Sequence, residues 1–172
     1  MTFIQRSLAF ILILSSAAVF AAESAPAPSV RAGAIYVPDH TPDKSSSLGF
    51  ELGYASPVFP FENMTFTWGH VSRSELEHNT FLLNFEDSYP LAEKLYLYGS
   101  SGIGVVLLDQ KPGPDKNSAM GRLALGTRVH LCSRIALFAE ANFLIALDNV
   151  WFNGDELKNR TWQYVAGLQY KF

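Results

Sequence analysis

The sequence predicts an all-β protein, an eight-stranded antiparallel up-and-down transmembrane β-barrel, and three observations support this. From Val30 onward, apolar and polar residues alternate repeatedly with a period of two, which is typical of strands with two different faces. Aromatic residues make up 13% of the 172 residues, and charged residues only 17%. Soluble domains carry about 25% charged residues, so the lower fraction here indicates an exterior that need not face water. The chain also opens with a stretch typical of a secretory signal peptide.

That opening stretch, residues 1–21, is not expected to belong to the fold. It carries one early cation, Arg6, followed by an apolar run over 8–14, and Val19 and Ala21 satisfy the small-residue rule for cleavage before Ala22. The run is shorter than the roughly 20 residues that span a bilayer as a helix, which disfavours the alternative of an uncleaved anchor. Residues 22–29 are predicted to be a Pro/Ala leader, and residues 30–172 the barrel.

Eight segments of the mature chain show strand periodicity. Proline cannot donate to a ladder, and all nine prolines fall in the leader, at strand ends or in connections, which supports this division. In order, the predicted strands are "VRAGAIYVP", "LGFELGYAS", "MTFTWGHVS", "NTFLLNFED", "KLYLYGSSGIGVVLL", "AMGRLALGTRVHL", "RIALFAEANFLIAL" and "RTWQYVAGLQYKF".

The connections between these strands alternate in character. Four are polar and mostly longer, namely "DHTPDKSS", "RSELEH", "DQKPGPDKN" and "DNVWFNGDELKN", whereas "PVFPFEN", "YPLAE" and "CSR" are mostly short. Outer-membrane barrels place long loops outside the cell and short turns in the periplasm, and this alternation fits that pattern.

The sixth and seventh predicted strands each combine an apolar face with a face of charges and small residues. If "CSR" is a three-residue turn, Gly126 lies opposite Glu140, with Arg128 on the same face. A soluble sandwich with the apolar face as its core also fits these two strands. Aromatic strand ends, long apolar faces and the signal peptide favour the membrane instead. These aromatics are Tyr36, Tyr54, Trp68, Trp162, Tyr170 and Phe172. The outward face of the fifth strand is left unassigned, because both faces are apolar at its ends.

An eight-stranded barrel has an interior filled by side chains, not a channel. Four glycines are predicted to make room there for larger neighbours: Gly49, Gly53, Gly126 and Gly167. Five charged residues are candidates for an interior ion-pair network: Glu51, Glu86, Arg122, Arg128 and Glu140. Within it, Arg128 and Glu140 are predicted to pair, two steps from direct register, across a closed lumen. The alternative function for these charges is a gated proton or ion path.

The closing stretch "TWQYVAGLQYKF" resembles the C-terminal signature of bacterial outer-membrane barrels. "LYLYGSSGIGVVL" and "GRLALGTRVHLCSRIALFAEANF" resemble the fifth strand and the following hairpin of small OmpA-like and opacity-type barrels. The resemblance implies a monomeric, non-enzymatic protein of the bacterial outer membrane, with structural or surface-interaction roles carried by its extracellular loops. Its implied partners are outer-membrane lipid, lipopolysaccharide and the barrel assembly machinery, which reads the last strand ending at Phe172.

A second interpretation comes from "GHVSRSELEH". Some lipid A deacylases are eight-stranded barrels with a His-x-Ser pair near the outer rim, and His70 and Ser72 have that spacing. Glu75 or Glu77 is then the candidate for orienting His70. The pair lies mid-chain here, unlike in that family, so a polar strand end is the preferred interpretation.

Other chemistries find no support in the sequence. There is no metal-binding cluster, phosphate-binding glycine loop or nucleotide motif, so no cofactor is expected. No basic stripe suggests nucleic acid as a partner. Cys132 is the only cysteine and cannot form an internal disulfide; it is expected to lie in a tight turn.

Overall fold

The computed structural model describes residues 27–38, 46–73, 76–110, 113–153 and 156–172. Among them, no helix is both long and apolar enough to cross a bilayer. Their regular elements are ten strands: β1 (Ser29–Val37), β2 (Ser47–Val58), β3 (Phe61–Arg73), β4 (Leu76–Ala92), β5 (Leu95–Gln110), β6 (Lys116–His130), β7 (Ile135–Ala146), β8 (Trp151–Asn153), β9 (Glu156–Lys158) and β10 (Arg160–Lys171). The predicted signal peptide lies outside the described residues.

Eight of these strands close into a single antiparallel barrel. Each long strand pairs with its neighbour along the chain, and β1 closes the ring by pairing with β10. Closure leaves no unpaired sheet edge, which is the condition that a bilayer imposes on a β-structure. The predicted all-β, eight-stranded up-and-down barrel is therefore confirmed.

The register between β6 and β7 is the predicted one, because the turn over 131–134 is tight. The Leu131 amide donates to the carbonyl of Ile135 at 2.9 Å, and Gly126 lies directly opposite Glu140. The single cysteine, Cys132, is exposed in this turn. A one-residue slip would have turned every side chain to the other face, so the turn places Glu140 inside the barrel.

The structure corrects two of the predicted polar connections. "RSELEH" is mostly strand, because β3 and β4 continue until Arg73 pairs with Leu76, and only residues 74–75 separate them. "DNVWFNGDELKN" contains an additional small hairpin, β8–β9, which forms a two-stranded sheet of its own. Three-residue strands are too short to show a period of two, so periodicity could not reveal this hairpin.

Alternate burial along the strands identifies the two faces of the barrel wall. In β7, Ile135 and Leu137 are exposed, whereas Phe138 and Glu140 are buried, as the sequence predicted. The fifth strand, left unassigned from the sequence, turns its odd-numbered residues outward: Ile103, Val105 and Leu107 are exposed. Its even-numbered Tyr98, Ser100, Val106 and Leu108 are buried inside.

Candidate functional site

A network of three arginines and three glutamates occupies the polar part of the barrel interior. Arg31 donates to Glu51 at 2.7 Å and lies 3.5 Å from Glu140. Arg122 pairs with Glu140 and reaches across the lumen to Glu51 at 3.4 Å. The guanidinium of Arg128 pairs with Glu86, which is also 3.8 Å from Arg31. All six side chains are buried. Such burial is tolerated only where charges are paired, and here the signs balance.

The predicted membership of this network is confirmed for all five residues named from the sequence, but the predicted Arg128–Glu140 pair is wrong. Tyr98 lies between the two side chains: its hydroxyl donates to Glu140 at 2.8 Å, and its ring lies 4.9 Å from the Arg128 guanidinium carbon. Arg128 instead reaches Glu86 on β4 and approaches Glu62 on β3, at 3.8 Å. The tyrosine ring thus separates Arg128 from Glu140, while the contact between Arg31 and Glu86 links the pairs on either side of it.

Two inward glycines make this arrangement possible by leaving space beside large side chains. A Cβ at Gly126 would lie 2.5 Å from Cζ of Tyr98 and 2.7 Å from the Ala139 carbonyl oxygen. A Cβ at Gly53 would lie 2.9 Å from Cγ of Arg31. The prediction that Gly53 and Gly126 accommodate larger neighbours is confirmed, with Arg31 and Tyr98 as those neighbours.

Sequence reasoning missed Arg31 and Tyr98. Arg31 is the only charge in β1, where it alternates with outward Val30 and Ala32, so its position signals the inner face. Tyr98 lies in the strand whose faces were left unassigned.

Glu140 also accepts hydrogen bonds from two uncharged side chains, Tyr98 and Asn142. The Asn142 amide donates to it at 3.1 Å. Arg122 Nε in turn donates to the Asn142 oxygen at 3.1 Å.

The end of the lumen on the side of the longer loops is apolar. The β8–β9 hairpin folds into this mouth, where Val150 (0% exposed) and Trp151 (3% exposed) are buried. The indole of Trp151 stacks on the His78 ring, with centroids 5.3 Å apart, and His78 Nε2 donates to the Val150 carbonyl at 2.8 Å. We call the aliphatic side chains around this plug the apolar cup; they are Leu76, Leu82, Val106, Leu108, Met120, Leu144 and Ala146.

His70 and Ser72, the residues of the hydrolase alternative, lie on the outer face of β3. His70 Nδ1 is 3.1 Å from the side-chain oxygen of Asn79, which also accepts from Trp68 Nε1 at 3.4 Å. Asn79, directly across on β4, therefore orients the imidazole, whereas Glu77 lies opposite Ser72. Glu75 lies outside the described residues. A hydrolytic role for the pair stays an alternative prediction. Among the described residues, no group of three or more His, Cys, Asp or Glu side chains is arranged to hold a metal.

The outer wall carries a broad apolar belt. Large apolar side chains are exposed on all eight barrel strands, among them Leu52 (46%), Leu125 (60%) and Leu168 (52%). On β10 the belt extends from Trp162 to Phe172, ten positions or about 34 Å along the strand. At a tilt of about 40° that length spans about 26 Å, close to the roughly 25 Å apolar band of outer-membrane barrels.

No protein-family model matches this sequence, and neither does any curated protein. Solved structures do match it. Neisserial surface protein A (NspA) superposes with a TM-score of 0.68 and 11% identity, over 87% of this chain and 100% of that one. Ail, the attachment invasion locus protein of Yersinia pestis, superposes with a TM-score of 0.51 and 12% identity, over 85% of this chain and 97% of that one. Both are small eight-stranded outer-membrane β-barrels, and this chain has their fold.

Proposed function

We propose that this protein is a non-enzymatic barrel of the bacterial outer membrane, with a structural or surface-interaction role carried by its extracellular loops. The observation that carries the proposal is the belt of exposed large apolar side chains around a closed ring of strands. In water such an exterior would aggregate, because monomeric soluble proteins rarely expose contiguous apolar patches above a few hundred Å². In a bilayer the same belt is solvated by acyl chains.

The interior supports a structural role over transport. Six buried and mutually paired charges fill the polar part of the lumen, and a hairpin with a tryptophan fills the mouth. Both features favour a closed barrel over the proton or ion path considered from the sequence. The shared fold supports the same assignment, because NspA is a surface protein and Ail is an attachment invasion locus protein. Lipid and lipopolysaccharide are then the partners of the belt, and the loops are the surface available to other molecules.

A charge placed on the belt tests the membrane location. Leu125 points outward from the middle of β6, whereas Leu147, 81% exposed, follows the end of β7 at the loop side. We expect Leu125→Arg to lower the free energy of unfolding by about 2–4 kcal/mol and Leu147→Arg by only about 0–1 kcal/mol, because the cost of arginine depends on its depth in the bilayer. Urea unfolding in lipid vesicles measures both. Equal costs, or recovery of the wild-type protein from the periplasm without detergent, would contradict the proposal.

The assembly machinery is proposed as a second partner, acting through β10. Phe172 is 67% exposed and packs edge-on against Tyr170, while its amide donates to the Pro28 carbonyl at 3.0 Å. Phe172 lies at the end of the belt, where a charged substitution costs the folded barrel only about 0–1 kcal/mol. We therefore expect Phe172→Asp to reduce the amount of barrel in the outer membrane of cells severalfold, yet to leave spontaneous refolding into vesicles nearly unchanged. Leu147→Asp is the control. If both variants reach the cell's outer membrane equally well, β10 is not recognised through its aromatic end.

A further inference from the structure

The β8–β9 hairpin is attached to the barrel differently from every long strand. Its strands pair only with each other. At its base, the described hydrogen bonds to the barrel include Ala146 to the Asn159 carbonyl at 2.7 Å and Asp148 to the Ser118 hydroxyl at 2.9 Å. Beyond this base, Val150 and Trp151 anchor the hairpin in the mouth. A unit with few backbone links to the rest of a protein opens at a lower free energy than the whole fold.

The anchor itself is imperfectly satisfied. Trp151 is buried and stacks on His78, while its indole Nε1 donates to no protein group among the described residues. Trp151 also borders a cavity of about 20 Å³, whose lining includes Ser47, His78 and Gln163. Because the ring borders this cavity, it loses fewer packing contacts on leaving the mouth than a fully enclosed side chain would.

Below the anchor lies the apolar cup, and the buried Thr80 and Ser118, which pair with Val106 on β4 and β6, lie beside it. The polar network, with Arg122 and Asn142, lies on the same strands nearer the periplasmic turns. Because the network stays paired when the hairpin moves, opening would uncover a dead-end apolar pocket and not a channel. Cavities lined mainly by aliphatic side chains bind small apolar molecules.

We propose that the apolar cup is a binding pocket for one small apolar molecule of about the size of an indole ring, and that the β8–β9 hairpin is its lid. In the closed protein the Trp151 side chain occupies the apolar cup, so the lid and a bound molecule compete for the same space. The proposal requires only the barrel and not its cellular location, so it is tested on folded protein in detergent.

Two buried valines provide a matched pair of reporters in a Cys132→Ser background. Val106 (0% exposed) lies in the cup, and Val165 (2% exposed) lies in the separate interior cluster with Ile35 and Phe138. Each is changed to cysteine and reacted with a small charged methanethiosulfonate. We expect Val106→Cys to react at least about tenfold faster than Val165→Cys, because lid opening uncovers one site and only global unfolding uncovers the other.

Removing the occupant sharpens the test. With Trp151→Ala, we expect modification of Val106→Cys to accelerate by a further factor of about ten, and millimolar indole to slow it again, by filling the vacated cup. Imidazole, a polar ring, serves as the control and should have no effect. Trp151→Phe, which keeps an aromatic ring but removes the indole N–H, shows whether the site tolerates substitution, and heat-modifiable migration on gels shows that each variant is folded.

The outcomes separate clearly. Equal rates at the two cysteines, with and without Trp151→Ala, would show that the hairpin opens only when the whole barrel unfolds, and the lid would be rejected. A fast Val106→Cys reaction that indole does not slow would reject the pocket. Neither result would bear on the membrane location, which is tested by Leu125→Arg.

Discussion

Changing Glu140 to glutamine is expected to lower the free energy of unfolding by about 3–5 kcal/mol, the largest loss expected from a single substitution here. Glutamine keeps the shape of the side chain but removes its charge. Arg122 then retains Glu51, at 3.4 Å, and Arg31 retains Glu51 and Glu86, so three buried arginines face two buried glutamates. The measurement is urea unfolding of the barrel in lipid vesicles.

A double-mutant cycle distinguishes pairing from mere loss of packing. Adding Arg122→Met to Glu140→Gln restores the balance of charges, so the double variant should be less destabilised than the sum of the two single variants. The matched control combines Arg128→Met with Glu140→Gln. Tyr98 separates those side chains, so their effects should be closer to additive. Additivity in the Arg122 cycle, or stronger coupling in the Arg128 cycle, would contradict the network described above.

The second large effect is expected at Gly126. A methyl group there would lie 2.5 Å from Cζ of Tyr98 and 2.7 Å from the Ala139 carbonyl oxygen, and the second neighbour is backbone of the paired strand. We expect Gly126→Ala to destabilise the barrel by about 1–3 kcal/mol through overpacking.

Gly121 is the control for this substitution, because it lies in the same strand and faces outward. The nearest atom to a Cβ at Gly121 is the Gly102 carbonyl oxygen, 3.9 Å away. Gly121→Ala should therefore be neutral or slightly stabilising, since both substitutions change the freedom of the unfolded chain in the same way. A similar loss of stability for both alanine variants would show that steric contact with Tyr98 is not the cause.

Most of the fold could be predicted because a barrel wall is specified by local patterns. Alternation placed Phe138 and Glu140 inside and Leu137 outside, and the short "CSR" turn set the register that brings Gly126 opposite Glu140. These features depend on neighbours in the chain or on directly paired strands. They therefore appear in the sequence as a period of two and a turn of known length.

The contacts across the lumen could not be predicted in the same way. Whether Arg128 meets Glu140 or Glu86 depends on the tilt of the strands and on which side chain fills the space between them, here Tyr98. The small hairpin was missed for a different reason. Its anchor, Val150–Trp151, is embedded in a polar connection, and two apolar residues cannot establish a period. The apolar cup was hidden with it, because its lining comes from four separate strands.

The two faces of the barrel wall also differ in how freely their residues can be substituted during evolution. The lipid-facing positions require only apolar side chains, so leucine, isoleucine, valine and phenylalanine can replace one another singly there. Inside, the three arginines and three glutamates are held by mutual contacts, so a lone replacement leaves a stranded charge and a second change must follow. Substitutions at these inner positions are thus expected to occur in groups that keep the charges paired. Such a barrel wall can then keep its architecture while much of its sequence changes, with outer positions exchanged one at a time and inner ones exchanged together.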